Sequence, residues 1–377
     1  SIFGYCCLNK EPDKSFFTFK YSYSLINSSL CNSIKFKKNF SIYHNEYNQF
    51  LKEAYWLDDW AIFKLFRDLH DGLPWIEWDE EYKNYPESKE VDLHDYEDEL
   101  FYIKFLQFIF NKQLTDIREY AHKRHIKIMG DVPFYVDYDS ADVWMNKEDF
   151  LLYTDCTPKF VAGCPPDYFS ETGQRWGMPI YDFENQEKNG FKFWCKRMHW
   201  TNHCYDMVRI DHFRAFDTYY SIPFGSKNAI NGKWENGIGH PFFELLKKEN
   251  ILDRLIVEDL GDVFPSVFKL RDDFNLPGMN ILQFSIFDNA FDVKEKQIIY
   301  TGSHDNETIV GFYKNLTKEQ KEILSIKFRY EGIKSKKTNW KFIEYAHKSI
   351  CELSIIPIQD YLGLDNKARI NTPGIAG

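Results

Sequence analysis

Six short runs rich in apolar and β-branched residues alternate with helix-like segments after about residue 48. The runs are "IKIMGD", "MVRID", "RLIVED", "NILQFSIF", "QIIYTGSHD" and "SIIPIQD". Most of them are separated by segments with helical apolar spacing, such as "FKFWCKRMHW", "PFFELLKKEN" and "PSVFKLRDDF". This alternation predicts an α/β protein with a parallel sheet or barrel.

Two longer stretches before the first run predict helices. The first, "YNQFLKEAYWLDDWAIFKLFRDLHDG", carries apolar residues at helical spacing and stops at Gly72. The second, "YEDELFYIKFLQFIFNKQLTDIREYAHKRH", predicts a longer helix with a broad apolar face.

Five of the six runs lead into an acidic residue, at Asp131, Asp211, Glu258, Asp305 and Asp360. In a (β/α)₈ TIM barrel the carboxyl ends of the strands build the active site, so residues distant in sequence converge there. A doubly wound sheet also gathers groups at strand ends, but it normally brings a glycine-rich phosphate loop. The sequence contains neither G-x-G-x-x-G nor G-x-x-x-x-G-K-[ST]. A (β/α)₈ TIM barrel is therefore the expected fold.

The long connection between Asp131 and Val208 predicts an insertion into this barrel. It contains "VAGCPPDYFSETGQRWGMPIYD", and we expect an inserted substrate-binding subdomain over residues 144–200 of a catalytic barrel at residues 51–377. Residues 1–50 are expected to form the N-terminal part of an inserted subdomain or an irregular region. Because the chain begins at Ser and stops at "NTPGIAG", the barrel is expected to be incomplete at both ends.

Charge and cysteine content narrow the possible partners. A formal net charge of −10 argues against nucleic acid or an anionic membrane as the main partner. No apolar run reaches the roughly 18–20 residues that a membrane span needs. The eight cysteines include no C-x-x-C pair, and no histidine pattern has zinc-finger spacing, so no zinc-finger site is predicted. Most of the cysteines are expected to be reduced thiols, which indicates a cytoplasmic location. Neither a metal site nor a cofactor is predicted. An aromatic content of 18% is high enough that some rings are expected in clefts or on the surface as well as in the core. Such rings favour the binding of flat polyhydroxylated ligands.

The stretch "VRIDHFRAF" places Asp211, His212 and Arg214 directly after a buried run. Burying one polar group at a strand end is common. Three ionisable groups in four positions cost too much desolvation free energy to be expected there without a function that uses their charge. Arg209, two residues before Asp211, faces the same side of the strand and is expected to pair with it. A single acid at a strand end is often only a cap. Three of them, Asp211, Glu258 and Asp305 with its neighbour His304, predict a catalytic site.

Seven segments then carry a resemblance to a known family. They are "GDVPFYVDYDSADVW", "VAGCPPDYFSETGQRWGMPIYD", "MVRIDHFRAF", "IVEDLGDVFPSV", "LPGMNILQF", "YTGSHDNET" and "PIQDYLGLDNKARINTPG". In this order they resemble the amylomaltases of glycoside hydrolase family 77, the 4-α-glucanotransferases or disproportionating enzymes. The resemblance covers about residues 54–374.

The resemblance implies a retaining double displacement with three carboxylates. Such a reaction needs a nucleophile and a proton donor about 5 Å apart. By motif, Asp211 matches the nucleophile, Glu258 the general acid/base and Asp305 the carboxylate that distorts the sugar and stabilises the transition state. Glu258 must remain protonated near neutral pH, so we expect burial and neighbouring carboxylates to raise its pKa.

Residue type and resemblance together predict the substrate-binding residues, which are Arg209, His212, His304, Asp131, Asp167, Tyr168, Phe169, Trp176 and Asn371. The aromatic ones either pack in the core or, given their Pro, Gly, Ser and Gln neighbours, stack on glucose from an exposed loop. His212 either orients its neighbours or binds sugar. Asp131 either holds its strand end or contacts sugar, and Asp167 either caps a turn or binds hydroxyl groups.

The predicted function is transfer of an α-1,4-glucan segment from a maltooligosaccharide donor to the 4-OH of an acceptor glucose or oligosaccharide. An α-1,4-glucan hydrolase of the amylase type would use the same carboxylates and let water take the second step. A glucan-binding protein without catalysis is the alternative from another class, and the presence of all three carboxylates argues against it. The expected location is the cytoplasm, or a plastid for a plant-like source.

Overall fold

The computed structural model describes residues 40–166, 170–261, 263–287 and 296–372. Those residues form two compact units. The first unit contains the described residues up to Val208 together with Ala215–Ile251, and the second contains Arg209–Arg214 and the described residues from Leu252 onward.

The first unit is mostly helical around an antiparallel sheet. Its α-helices are α1 (His44–Glu53), α2 (Leu57–Leu69), α3 (Glu80–Lys83), α4 (Tyr85–Ser88), α5 (Glu97–His122), α6 (Ala141–Met145), α7 (Phe183–Lys188), α8 (Lys192–Cys204) and α9 (Gly239–Lys248). Its strands are β1 (Met129–Val132), β2 (Phe160–Cys164), β3 (Gln174–Pro179), β5 (Thr218–Pro223) and β6 (Lys233–Asn236), and β4 (Met207–Ile210) begins in it.

The antiparallel sheet has the order β3-β2-β5-β6. Val161 of β2 pairs with Ile222 of β5, and Tyr220 of β5 pairs with Trp234 of β6. Two strands of this sheet therefore come from residues 218–236, outside the range predicted for an inserted subdomain. The division into a barrel and a subdomain at residues 144–200 stays a prediction.

The first predicted helix is in fact two helices, α1 and α2. α1 ends at Glu53 and α2 begins at Leu57, and Ala54 between them is buried. The break separates Phe50, in α1, from Trp56, which directly precedes α2. The rings of both residues pack against the indole of Trp200, at centroid distances of 6.4 and 5.7 Å. Tertiary packing thus overrides a continuous helical pattern.

The second predicted helix is confirmed as α5, and its end fixes the start of β4. Arg118 and His122 of α5 contact the carboxylate of Asp206 at 3.0 and 2.8 Å. The same carboxylate also accepts a backbone hydrogen bond, because Ile128 N donates to Asp206 Oδ2 at 2.8 Å. The residue directly before β4 is thus tied to a helix and to the residues that lead into β1.

The second unit contains a parallel sheet covered by helices. Its strands are the end of β4, β7 (Leu255–Val257), β8 (Met279–Ile281), β9 (Ile298–Tyr300) and β10 (Leu353–Ile355), and β8, β9 and β10 pair in parallel. Its helices are α10 (Pro265–Asp273), α11 (Leu282–Ser285), α12 (Ile309–Asn315), α13 (Lys318–Tyr330), α14 (Thr338–Lys348) and α15 (Ile358–Leu362). The parallel pairing predicted from the alternating pattern is present in this unit.

Some predicted strand ends are wrong. The run "NILQFSIF" forms a strand only up to Ile281 and then turns into α11, because Leu282 and Ile286, four residues apart, bury their side chains in the same core cluster. Asp131 lies inside β1, and Asp360 lies in α15, five residues beyond the end of β10. In the described part of the chain no helix is long and apolar enough to cross a membrane.

Candidate active site

A buried arginine at the end of β4 joins two carboxylates of the second unit. Arg209 Nη2 donates to Asp211 Oδ1 at 2.7 Å and to Glu258 Oε2 at 2.9 Å. Arg209 is only 8% exposed, whereas the side chains of Asp211 and Glu258 are 38% and 24% exposed. The predicted pairing of Arg209 with Asp211 is confirmed. Its second contact, to Glu258, was not predicted.

Backbone hydrogen bonds hold the two acidic strand ends side by side. Asp211 directly follows β4, and Glu258 directly follows β7. Glu258 N donates to Ile210 O at 3.0 Å, and His212 N donates to Glu258 Oε2 at 2.9 Å. Because both acids contact one nitrogen of Arg209, their nearest oxygens are at most about 5.6 Å apart, the sum of the two contacts. Retaining glycosidases need a separation of about 5–5.5 Å, and inverting ones need more.

His212 adopts a backbone conformation that is unusual for a residue with a side chain. Its φ is 51°, in the left-handed region, which costs on the order of 1–2 kcal/mol outside glycine. This conformation belongs to the turn that presents His212 N to Glu258. Burial lowers the pKa of the imidazole to about 4, and Arg214 acts in the same direction while Asp211 opposes it. His212 is therefore neutral near pH 7.

Burial raises the pKa of Glu258 to about 7. The hydrogen bond and the negative charge of Asp211 act in the same direction, whereas the Arg209 cation and the His212 N–H favour the ionised form. The direction and the causes agree with the shift expected from the sequence. Glu258 is thus a carboxyl group that can both give and take a proton near neutral pH.

Asp305 lies on the loop after β9 and has its own set of partners. Asn371 Nδ2 donates to Asp305 Oδ1 at 2.8 Å, and His304 Nε2 lies 3.3 Å from Asp305 Oδ2. Arg369 Nη2 donates to the backbone oxygen of Asp305 at 3.0 Å. The side chains of His304 and Asp305 are both about half exposed, at 53% and 52%. The structure therefore brings together the predicted residues His304, Asp305 and Asn371.

The remaining predicted binding residues belong to the first unit. Asp131 is an exposed residue of β1. Trp176 was predicted on an exposed loop, but it lies in β3, is half-buried, and packs edge-on against Tyr135 with ring centroids 6.2 Å apart. The loop prediction failed because glycines at positions 173 and 177 resemble loop punctuation, although β3 pairs with β2. The predictions for Asp167, Tyr168 and Phe169 lie outside the described residues.

One residue that sequence reasoning missed stands next to the proposed acid. Asp259 is 6% exposed, forms an ion pair with the buried Arg271, and accepts a hydrogen bond from Met279 N at 2.8 Å. It therefore ties the end of β7 to α10 and β8. The signal was the doublet "ED", because a second acid after a buried strand needs a buried cation.

The geometry at Asp211 and Glu258 suits acid–base and nucleophilic chemistry on a sugar. Both carboxyl groups contact a permanent cation, and burial raises the pKa of one of them, Glu258, to about 7. Within the residues that the structure covers, no group of three or more His, Cys, Asp or Glu side chains is placed to hold a metal ion.

Comparisons with known proteins agree with this chemistry. The family model described as 4-alpha-glucanotransferase, of glycoside hydrolase family 77, matches residues 17–377. A 4-alpha-glucanotransferase of Aquifex aeolicus is 40% identical over 334 residues, which are 86% of this chain and 68% of the relative. A chloroplastic/amyloplastic 4-alpha-glucanotransferase of Solanum tuberosum is 38% identical over 325 residues, covering 84% of this chain and 56% of the relative.

The fold has a similar solved counterpart. An amylomaltase from Streptococcus agalactiae, solved in complex with acarbose, superposes with a TM-score of 0.86 at 29% identity, covering 99% of this chain and 77% of that one. This likeness confirms the predicted α/β fold, whereas closure into a (β/α)₈ barrel stays a prediction. With a family model that matches most of the sequence, the chain belongs to glycoside hydrolase family 77, the 4-alpha-glucanotransferases.

Proposed function

We propose that this chain transfers α-1,4-glucan segments by a retaining double displacement, with Asp211 as nucleophile and Glu258 as general acid/base. The observation that carries the proposal is the single Arg209 nitrogen that contacts both carboxylates. It keeps their nearest oxygens no more than about 5.6 Å apart, which is shorter than the separation that inverting enzymes need. Family membership supports the reaction class.

In the first displacement, Asp211 attacks the anomeric carbon while Glu258 protonates the oxygen of the departing sugar. Arg209 Nη2 lies 2.7 Å from Asp211 Oδ1 and so keeps a permanent positive charge beside the nucleophile. Glu258 holds its proton at neutral pH because burial raises its pKa to about 7. The products of this step are a covalent glycosyl-enzyme and a free reducing-end fragment.

In the second displacement, Glu258 acts as the base. It removes the proton of the acceptor 4-OH as that oxygen attacks the anomeric carbon and releases Asp211. A pKa near the working pH suits both directions of proton transfer. Because each of the two displacements inverts the anomeric carbon, the configuration after both steps is retained.

We propose that His304, Asp305 and Asn371 bind the sugar at the reacting centre. Asp305 offers a carboxylate whose second oxygen lies beside His304, and both side chains are exposed enough to meet a ligand. A carboxylate that binds the sugar hydroxyls can strengthen its contacts as the ring flattens toward the oxocarbenium-like transition state. We assign His212, with its neutral imidazole, to the orientation of the turn at Glu258.

The proposed donor is an α-1,4-glucan, and the proposed acceptor is glucose or an oligosaccharide. A similar amylomaltase was solved with acarbose, which supports a glucan-type ligand for the family. We keep Trp176 and Asp131 as candidate sugar-binding residues. A half-buried indole can stack on a glucose ring at small entropic cost.

A reducing compartment fits the described thiols. Cys156, Cys195 and Cys204 carry free thiols. Three plant relatives carry chloroplastic/amyloplastic names. We therefore propose that the protein works in the cytoplasm, or in a plastid for a plant-like source.

Incubation with maltotriose tests the function. Transfer converts maltotriose into glucose and longer chains with no net gain of reducing ends, whereas hydrolysis raises the number of reducing ends steadily. If neither product pattern forms while maltotriose binds, the chain is a glucan-binding protein.

A second incubation tests Trp176 as an acceptor site. Water is present at about 55 M, so an acceptor sugar competes only when binding gives its hydroxyl a high effective concentration. Trp176→Ala should then lower the ratio of new oligosaccharides to free reducing ends more than it lowers donor cleavage. An unchanged ratio removes Trp176 from acceptor binding.

A further inference from the structure

A buried carboxylate fastens both ends of the loop that carries His304 and Asp305. Asp360 of α15 has no solvent exposure. Its Oδ2 accepts a hydrogen bond from Thr301 Oγ1 at 2.5 Å, and its Oδ1 accepts one from Ile309 N at 2.7 Å. The two oxygens thus hold two separate points of the chain.

Those two points flank the loop directly. Thr301 is the first residue after β9, and Ile309 is the first residue of α12. The seven residues 302–308 between them contain His304 and Asp305. One side chain therefore fixes where the loop leaves the sheet and where it enters the helix.

Two further side chains hold the same loop from inside the second unit. Gln283 Nε2 donates to Thr301 O at 3.1 Å and to Glu307 O at 2.7 Å. Asn366 accepts from Thr308 N at 3.1 Å. The contacts at both ends of the loop are buried at Asp360 and partly buried at Gln283 and Asn366, whereas the side chain of Asp305 in its middle is 52% exposed. The position of Asp305 depends on the backbone of the loop more than on packing around its own carboxylate.

Asp360 is itself held in place. Asn339 of α14 is buried and donates to Asp360 O at 2.8 Å. A carboxylate without solvent access is costly, and such groups occur where hydrogen bonds hold them and they in turn hold other groups. The two donors to the Asp360 carboxylate are the residue directly after β9 and the first residue of α12, the two elements that the loop connects.

We propose that Asp360 is a positioning residue, which holds the 302–308 loop so that His304 and Asp305 meet the reacting sugar. The expected loss of kcat rests on the proposed function, because it requires Asp305 to take part in the reaction. The clamp itself does not depend on that function, because it predicts an ordered loop whether or not Asp305 takes part in the reaction.

Hydrogen exchange tests the clamp. In Asp360→Ala, amide exchange across residues 302–309 should become at least tenfold faster, while exchange in β8 and β10 stays unchanged. Thr301→Val removes the hydroxyl donor with little change of shape, and it should accelerate exchange in the same segment less strongly. Asp360→Asn should restore slow exchange, because an amide can accept from Ile309 N and donate to Thr301 Oγ1. Unchanged exchange in both Asp360→Ala and Thr301→Val overturns the clamp.

A double-mutant cycle with Asp305 tests the positioning role. We expect Asp360→Ala to lower kcat for maltotriose at least tenfold, and to lower it less than twofold further when Asp305 is already Ala. Asp360→Asn should recover most of the lost rate. If the two losses multiply instead, Asp360 acts on stability in general and the positioning role is wrong.

The two assays separate the two possible failures. If Asp305→Ala alone keeps near-normal turnover, the proposed role of Asp305 fails, and the exchange result still decides the clamp. If Asp360→Ala does not fold, Thr301→Val carries the same exchange and kinetic comparison, because it removes only one of the two contacts to Asp360.

Discussion

The second unit holds its two groups of proposed catalytic residues in opposite ways. Asp211 and Glu258 share the buried cation Arg209, and burial raises the pKa of Glu258 to about 7. Asp305 receives a neutral hydrogen bond from Asn371 and is half exposed. The first group is organised by charge, and the second is organised by the backbone of its loop.

This difference follows from what each group must do. A nucleophile and an acid need unequal protonation at the same pH, and the burial of Glu258 favours the protonated form that the acid needs. A carboxylate that binds sugar hydroxyls needs only to be ionised and correctly placed, which an exposed side chain on a fixed loop achieves. Substitutions in the first group should therefore impair bond cleavage or proton transfer and change the pH dependence of the reaction. Substitutions in the second group should mainly lower kcat.

The largest effect is expected for Asp211→Asn. The amide cannot form the covalent glycosyl-enzyme, so transfer from maltotriose should fall at least about a thousandfold, or about 4 kcal/mol of transition-state stabilisation. Mass spectrometry during turnover of an activated glycosyl fluoride measures the loss of the covalent intermediate. Asp68→Asn, which changes an exposed acid paired with Lys64, is the control. Retention of more than a tenth of wild-type transfer places the nucleophile elsewhere.

Glu258→Gln should lower activity in a manner that depends on the leaving group. An oligosaccharide leaving group needs the proton, so its rate should fall by about 10²–10⁴, whereas a glycosyl fluoride should lose less than tenfold in the first step. The glutamine keeps an oxygen that can accept from His212 N, so the turn is preserved. Parallel rates with maltotriose and maltosyl fluoride make the comparison, and Glu322→Gln on the exposed face of α13 is the control. Equal losses on both substrates exclude Glu258 as the acid.

Much of this arrangement could be predicted from the sequence wherever an acidic residue directly follows a short apolar run. The strands in "MVRID" and "RLIVED" end directly before Asp211 and Glu258, as predicted. A short run rich in β-branched residues is typical of a buried strand, and the first acidic residue marks its end. The same rule failed for "SIIPIQD", where Pro357 precedes a helix and carries Asp360 beyond the strand. A proline inside a predicted strand was the available signal.

Contacts that depend on neighbouring elements could not be predicted. Arg209 reaches Glu258 only because the ends of β4 and β7 lie side by side, which local pattern does not specify. Asp259 and Asp360 likewise find their partners across 12 and 51 or more positions of the chain. Sequence pattern identifies which residues bear charge, and the fold decides which charges meet.

Arg209→Met tests whether charge organises the first group. Arg209 favours the ionised form of Glu258, so its removal should raise the pKa of that carboxyl group above about 7. Because the reaction needs the protonated acid, the basic limb of the kcat/KM profile should move to higher pH, together with a loss of about tenfold to a hundredfold in its maximum. Profiles between pH 5 and pH 9 with maltotriose measure the shift, with the exposed Arg329→Met as control. A shift to lower pH contradicts the shared-cation account.

Asn371→Ala should give the smallest effect and tests the second group. It removes a hydrogen bond of 2.8 Å from a neutral amide to a carboxylate, and because the carboxylate is half exposed to screening by water the bond is worth only about 1 kcal/mol, so kcat should fall only about fivefold. The pH profile should keep its basic limb, because Asn371 carries no charge and is absent from the causes of the Glu258 shift. Asn371→Asp provides the contrast, since a second carboxylate against Asp305 should repel it and lower kcat further than the alanine does. If the alanine variant moves the basic limb as Arg209→Met does, the two groups titrate as one and the division between them is wrong.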